Sequence, residues 1–318
     1  MKKILIFSVF ILIGLLFLTI SASADNYDKA LDYYNAGVDL HDSNPDAALK
    51  NYFKALNYDT SIAEVYLNIG LIYINKNDLD QGEKYTLQAL ETFVKTKKKV
   101  SGSQTYERLV AICNSNIGLI YLKRMAKVTD TETKQKYLEY ALTDFLWALE
   151  VDPTYSIAKD YYADNLPNIK KSGPEFYDDG VDYLDKEKSF EAIIRFKIAI
   201  DLDPSIGEAH LNTGLAYMRE GDYYYCEIYS KEAINTFRKY KKVIAQGQTI
   251  EELIAICYLH MGLAYIGKAR DADDKGNYSD AEIYHKTALE MWKKGMTEDP
   301  TFSKLKKAYA KYEKSYKE

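Results

Sequence analysis

The chain has 318 residues and a formal net charge of −5, with 47 acidic against 42 basic residues. This balance lacks the excess of positive charge that nucleic-acid binding requires, so we expect no nucleic-acid partner. The content of 30 tyrosines against only 6 prolines and 16 glycines favours helices rich in aromatic contacts and argues against long disordered linkers.

The first 24 residues have the three parts of a secretory signal peptide. Two lysines precede an apolar run from Ile4 to Ile20, and small residues follow as far as Ala24. We expect cleavage near Ala24 and an exported protein, either periplasmic or secreted. The alternative is an uncleaved membrane anchor, since about 17 apolar residues can almost span a bilayer. Loss of the two lysines on cleavage would take the formal charge from −5 to −7.

A block of sequence from Ile62 to Val100 recurs from Ile206 to Ile244 in the same register. Matching residues lie 144 positions apart, as in the pairs Gly70/Gly214, Tyr73/Tyr217, Ala89/Ala233 and Phe93/Phe237. The sequence therefore predicts a tandem duplication.

Each copy also contains a shorter rhythm. A glycine is followed by a tyrosine three residues later, then by two small residues at fixed spacing, and often by Asp-Pro. Six such units centre on Gly37, Gly70, Gly118, Gly180, Gly214 and Gly262. The rhythm resembles the tetratricopeptide repeat (TPR), a helix hairpin of about 34 residues. The resemblance implies an all-α, right-handed superhelical solenoid of helix-turn-helix repeats with capping helices.

In chain order, we expect a signal peptide at 1–24, a first TPR half at 25–166, a linker at 167–174 and a second TPR half at 175–318. Each half should contain three hairpins and a cap helix. Pro167 and Pro174 mark the linker, since proline interrupts helices. In the sixth hairpin, we expect Ala281 and Ala288 at the two close-packing positions of the second helix.

The resemblance also implies a partner-facing wall on the first helix of each hairpin, at about positions two, five, six, nine, twelve and thirteen of the repeat, and we take candidates from positions five, six, nine and twelve. These positions are mostly apolar in this chain, with a polar row at position six. The candidate partner-binding residues, which we call the wall, are Tyr34, Val38, Leu67, Asn68, Leu71, Ile74, Asn116, Leu119, Tyr177, Leu211, Asn212, Leu215, Met218, Leu259, His260 and Leu263. TPR domains that clamp a terminal carboxylate use Lys and Asn at positions five and nine. Neither residue occurs there, so that function does not carry over.

An exposed apolar wall of this length must be covered, because large apolar patches are rare on monomers. We expect it to hold a helix or an extended segment of another protein, which would make the chain an exported, non-catalytic scaffold. The alternatives are a periplasmic carrier of a hydrophobic small molecule or a transporter-associated protein, self-association, and burial of the wall within the fold.

The sequence contains no catalytic, cofactor-binding or metal-binding constellation that we recognise. The four histidines lie in four different repeat contexts, and no phosphate-binding loop or nucleophile elbow is present. The stretch from Asp271 to Glu282 nearly matches a calcium loop, but Lys275 occupies a position that needs an oxygen ligand. We therefore predict a protein that is not an enzyme and that needs no cofactor or metal.

Two basic clusters occupy equivalent places in the two copies, at 95–99 and 238–242. They are candidates for contact with an anionic membrane surface. The alternative is a pair of solvated helix ends, where cations are favoured by the helix dipole.

Overall fold

The computed structural model describes residues 25–100 and 102–317, and its regular secondary structure in these ranges is entirely helical. The predicted signal peptide at 1–24 lies outside the described residues. The chain divides between Ile169 and Lys170 into two compact units, which we call unit 1 and unit 2. The predicted all-α fold built from helical repeats is confirmed.

Unit 1 contains three helix hairpins and a final helix. Its helices are α1 (25–40), α2 (Pro45–Tyr58), α3 (Ala63–Asn75), α4 (Leu79–Thr96), α5 (Tyr106–Met125), α6 (Thr131–Val151) and α7 (Ser156–Asn165), with a 3-10 turn at Leu166–Asn168. Each hairpin packs against the next, and α7 packs on α6. The third hairpin is longer than the others because it has extra residues after its glycine, in the stretch that leads into its second helix.

Unit 2 repeats this order of helices. Its helices are α8 (Gly173–Asp185), α9 (Ser189–Leu202), α10 (Gly207–Arg219), α11 (Tyr223–Tyr240), α12 (Ile250–Asp274), α13 (Tyr278–Glu298) and α14 (Ser303–Lys317). By length and composition α12 is apolar enough to cross a membrane, but half of its most apolar stretch is buried inside unit 2. There it packs against α11 and α13, as a core helix of a helical repeat does.

The glycine of the repeat rhythm allows the two helices of a hairpin to pack closely. In the fourth hairpin, a Cβ added to Gly180 would lie 2.4 Å from the ring of Phe196 on the facing helix. Phe196 is completely buried. Any side chain at Gly180 would therefore have to displace this ring, which explains the glycine in packing terms.

The sixth hairpin differs from our expectation. Gly262 faces Trp292, since a Cβ on this glycine would lie 2.1 Å from the indole Nε1. The two close-packing positions around Trp292 are Ala288 and Gly295, not Ala281 and Ala288. The physical reason is that α12 is 25 residues long, so α13 pairs with it about two turns later, and two turns return to the same face of a helix.

A matched pair of buried glutamates ties the loops of each unit to its core. Glu208, in the first turn of α10, accepts hydrogen bonds from the backbone N–H groups of Ile244 at 2.6 Å and Ala245 at 3.1 Å. In unit 1, Glu64 accepts one from the N–H of Val100 at 2.5 Å. Both glutamates are buried, and they occupy equivalent positions in the two copies.

Candidate functional site

The wall lies on the first helices of the hairpins, which are α1, α3 and α5 in unit 1 and α8, α10 and α12 in unit 2. Within unit 1, α3 contacts α5, and within unit 2, α10 contacts both α8 and α12. Each unit therefore brings its own share of the wall onto neighbouring helices. The share of unit 1 runs from Tyr34 to Leu119, and that of unit 2 runs from Tyr177 to Leu263.

The wall residues differ widely in exposure. Val38 and Leu263 are 44% and 38% exposed. Nine others are partly buried, and they are Tyr34, Asn68, Leu71, Leu119, Tyr177, Asn212, Leu215, Met218 and Leu259. The remaining five are buried, and they are Leu67, Ile74, Asn116, Leu211 and His260.

Position nine of the repeat gives the most accessible apolar positions. We call these residues the open row, and they are Val38, Leu71 and Leu119 in unit 1 and Val181, Leu215 and Leu263 in unit 2. All are at least partly exposed to solvent. An apolar partner can reach them without any change in the packing of the hairpins.

Leu67 and Leu211, at position five, belong to the core instead. Leu67 packs with Phe93 and Leu109, which come from the second helix of its own hairpin and from the next hairpin. Leu211 packs in the corresponding cluster with Phe237. Substitution of either leucine would therefore change stability as well as any binding.

A hydrogen bond from position six to a tyrosine of the preceding hairpin recurs in both units. The Nδ2 group of Asn212 donates to the Tyr177 hydroxyl at 3.1 Å, and that of Asn68 donates to the Tyr52 hydroxyl at 3.2 Å. Burial, together with the nearby carboxylate of Glu208, raises the pKa of Tyr177 to about 12. The phenol therefore stays protonated at neutral pH and joins the hairpins as a neutral group.

Position six of the third hairpin in each unit has no such partner. Asn116 and His260 are each only 9% exposed. Neither Asn116 Nδ2 nor His260 Nδ1 has a hydrogen-bond partner among the described residues. The preceding hairpins carry Leu67 and Leu211 at position five, and leucine cannot form a hydrogen bond. Both atoms are closed to solvent, so each is a cost of the packing and not a point that an outside partner can reach.

Burial, with a smaller contribution from Arg219, lowers the pKa of His260 to about 4. The imidazole is therefore neutral at pH 7 and offers one donor and one acceptor nitrogen. In chemical terms, His260 and Asn116 are the same type of group, a neutral polar side chain buried at the same repeat position of the two units.

Metal binding has no support in the described ranges, where no group of three His, Cys, Asp or Glu side chains is placed to hold an ion. Asp271 and Asp273, which would begin a calcium loop, lie inside α12. His285 Nδ1 contacts the Tyr312 hydroxyl, and His285 Nε2 lies 3.7 Å from Asp273 Oδ2. A helical segment cannot wrap around an ion as a calcium-binding loop does.

No protein-family model matches the chain. The photosystem I assembly protein Ycf3 of Prochlorococcus marinus (strain NATL2A) is 25% identical over 167 residues, which cover 52% of this chain and 83% of that protein. Among solved structures, a complex of the TPR2AB domain of yeast Sti1 with pHSP90 is similar, with 14% identity, coverage of 92% of this chain and 99% of that chain, and a TM-score of 0.34. A thermophilic TPR protein of Thermus thermophilus is 16% identical, with coverage of 72% and 99% and a TM-score of 0.32. These similar solved structures are TPR proteins.

Proposed function

We propose that the chain is an exported, non-catalytic scaffold that holds a segment of another protein along the first helices of its hairpins. The observation that carries this proposal is the open row, which places an apolar, at least partly exposed side chain at one repeat position of every hairpin. An amphipathic helix or an extended segment carries apolar side chains at regular spacing, and these cover the row.

The length of the open row favours a polypeptide over a hydrophobic small molecule, because the row continues along three hairpins in each unit. Export is supported by the arrangement of residues 1–24, with a basic start, an apolar run and small residues before Asp25. N-terminal sequencing of the protein from its native cell tests this directly, and an intact segment would contradict cleavage.

The binding surface is tested by removing the open row without touching the core. We expect the double variant Leu71→Ser and Leu215→Ser to keep the far-UV circular dichroism of the parent, because both side chains are already partly exposed. Partner capture should fall by at least about tenfold, since a few central apolar contacts carry most of the affinity of an interface. The matched control is Ile157→Ser with Ile283→Ser, which removes two exposed apolar side chains outside the wall.

Photo-crosslinking in the intact native cell identifies what occupies the surface. Photoreactive residues placed at Val38 and Leu263 should give the same protein adduct, whereas residues placed at Ile157 and Ile283 should not. Capture that survives the loss of both leucines would overturn the proposal. A stoichiometric lipid in organic extracts, with no protein adduct, would establish the carrier instead.

A further inference from the structure

The duplication allows each surface of unit 2 to be compared with its counterpart in unit 1. One groove of unit 2, between α11, α12 and α13, encloses a cavity of about 320 Å³. Its floor is apolar and contains Tyr258, Met261 and Met291, while its rim carries three cations, which are Lys231, Arg238 and Lys294. We call it the basic groove.

The basic groove is separate from the wall. It uses Tyr258 and Met261 of α12, which lie on a different face of that helix from Leu259 and Leu263. Two of its cations already have acidic neighbours. Lys231 pairs with Glu227 at 2.6 Å, and Arg238 pairs with Glu298. Lys294 is exposed and makes no ion pair with any described residue.

The counterpart in unit 1 lies between α4, α5 and α6. The 144-residue interval aligns α11 with α4. Trp292 and Phe145 each face the glycine of their own hairpin, and aligning these two rings pairs α13 with α6. At the three rim positions, where unit 2 has cations, unit 1 has the apolar residues Leu87, Val94 and Trp147. Leu87 and Val94 are 47% and 57% exposed. We call this surface the apolar face.

The apolar face also carries negative charge where the basic groove has none. Glu91 stands where unit 2 has Asn235, and Asp144 stands where unit 2 has Met291. Glu91 is exposed and makes no ion pair with any described residue. The two surfaces are therefore complementary in two respects, since one offers exposed apolar side chains and carboxylates, and the other offers cations over an apolar floor.

We infer that the apolar face of one copy docks into the basic groove of a second copy, so that the chains associate head to tail. Leu87 and Val94 pack against the aliphatic stems of the rim cations and against the methionines of the floor. Lys294 pairs with Glu91, and the rim cations can lie over the ring of Trp147. Because the two surfaces differ, an open assembly always has one free surface of each kind at its ends. It can therefore grow into a longer chain or close into a ring.

A second copy fits better than association of like with like. Two basic grooves facing each other would bring cations together, and two apolar faces would bring Glu91 of one copy close to that of the other. Leu87 and Val94 lie two turns apart on one face of α4, so together they form one apolar stripe that a partner surface can cover. The molecule itself carries a surface of matching chemistry.

Two variants and their mixture test the inference. The first variant, Leu87→Ser with Val94→Ser, removes the apolar face, and the second, Arg238→Glu with Lys294→Glu, reverses the basic groove. Sedimentation velocity of the parent should show a mass that rises with concentration and falls with added salt, which screens the ion pairs. Each variant alone should stay monomeric, with self-association at least about tenfold weaker.

The mixture distinguishes the head-to-tail arrangement from the other arrangements. The first variant keeps its basic groove and the second keeps its apolar face, so the two together should form a 1:1 complex that cannot grow. Self-association by either variant alone would show a like-with-like interface and overturn the inference, as would a parent that stays monomeric at all concentrations. The controls are Ile283→Ser and the charge-matched pair Lys186→Glu with Lys304→Glu, all exposed positions of unit 2 outside the groove.

Discussion

Replacement of Glu208 by alanine should destabilise unit 2. The side chain is 2% exposed, and one of its oxygens accepts two backbone N–H groups, from Ile244 at 2.6 Å and Ala245 at 3.1 Å. It stands in the first turn of α10, where the helix dipole favours a negative charge. The alanine variant loses both hydrogen bonds and releases the loop that follows α11.

The magnitude follows from these contacts. A hydrogen bond to a charged group contributes about 1.5–3 kcal/mol. The two bonds share one oxygen, and the N–H groups of Ile244 and Ala245 lie in a half-buried loop, so water can replace part of the loss. We expect Glu208→Ala to lower the free energy of unfolding by about 3 kcal/mol. Glu208→Gln keeps the shape and loses the charge, and should cost about half as much.

Urea denaturation followed by circular dichroism measures the loss in the free energy of unfolding. Hydrogen exchange at the amides of Ile244 and Ala245 shows whether the loss arises in this loop. Exchange at both amides should accelerate in the alanine variant while the amide of Val100 in unit 1 is unaffected. The control is Glu220→Ala, which removes an exposed carboxylate at the other end of the same helix. A loss below about 1 kcal/mol, the average cost of a single substitution, would refute the assignment of Glu208 as the anchor of this loop.

Three other substitutions give independent tests. Burial acts to raise the pKa of Glu227, but hydrogen bonds from two lysines and a tyrosine outweigh it and lower the pKa to about 2. Its contribution is therefore full above the unfolded pKa of about 4.3 and is lost as the pH falls through 2, so Glu227→Gln should cost about 1–2 kcal/mol at pH 7 and nothing near pH 2 in urea titrations. Burial also lowers the pKa of His260 to about 4, so its contribution to the free energy of unfolding is full above the unfolded pKa of about 6.5 and is lost as the pH falls towards 4. Burial lowers the pKa of His210 in the same way. His260→Asn should therefore remove about half of the stability that the two histidines together lose at low pH. Gly180→Ala forces a methyl group against Phe196 and should cost about 1–2 kcal/mol net of the gain in helix propensity, whereas Gly102→Ala, with no atom within 4 Å, should stay within about 0.5 kcal/mol of the parent.

The fold could be predicted because its determinants are local and periodic. Glycine, tyrosine and alanine recur at fixed spacing, and each recurrence reflects one close contact within a hairpin, such as Gly180 against Phe196. The sixth hairpin shows where this reasoning fails. Ala281 and Ala288 have the right spacing, but so do Ala288 and Gly295, because the two pairs lie two helical turns apart. The aromatic ring opposite the glycine decides between them, as Phe145 in the third hairpin could have indicated for Trp292.

The wall was harder to predict than the fold. The position of a residue in the repeat determines which side of the first helix it occupies, but its exposure depends on the residues of the next hairpin. Leu67 and Leu211 are buried by side chains that lie far away in sequence, whereas the open row remains accessible. The buried pair Glu64 and Glu208 was also missed, because an acidic residue in the first turn of a helix is ordinary in sequence and only the loop contact makes it unusual.

The two copies differ in a way that separates framework from surface. The framework is kept in both, as the equivalent roles of Glu64 and Glu208 show, and the open row is apolar in both. At the three rim positions the two units instead differ, with apolar residues in unit 1 and cations in unit 2. Substitutions at exposed positions have little effect on stability, so packing alone would allow changes of any kind there. A difference of the same chemical sense at three neighbouring positions, with carboxylates at two adjoining positions of unit 1 but not of unit 2, is the pattern expected if each surface is shaped by what it binds. We therefore expect the wall to be a property of both units, and the basic groove and the apolar face to be properties of one unit each.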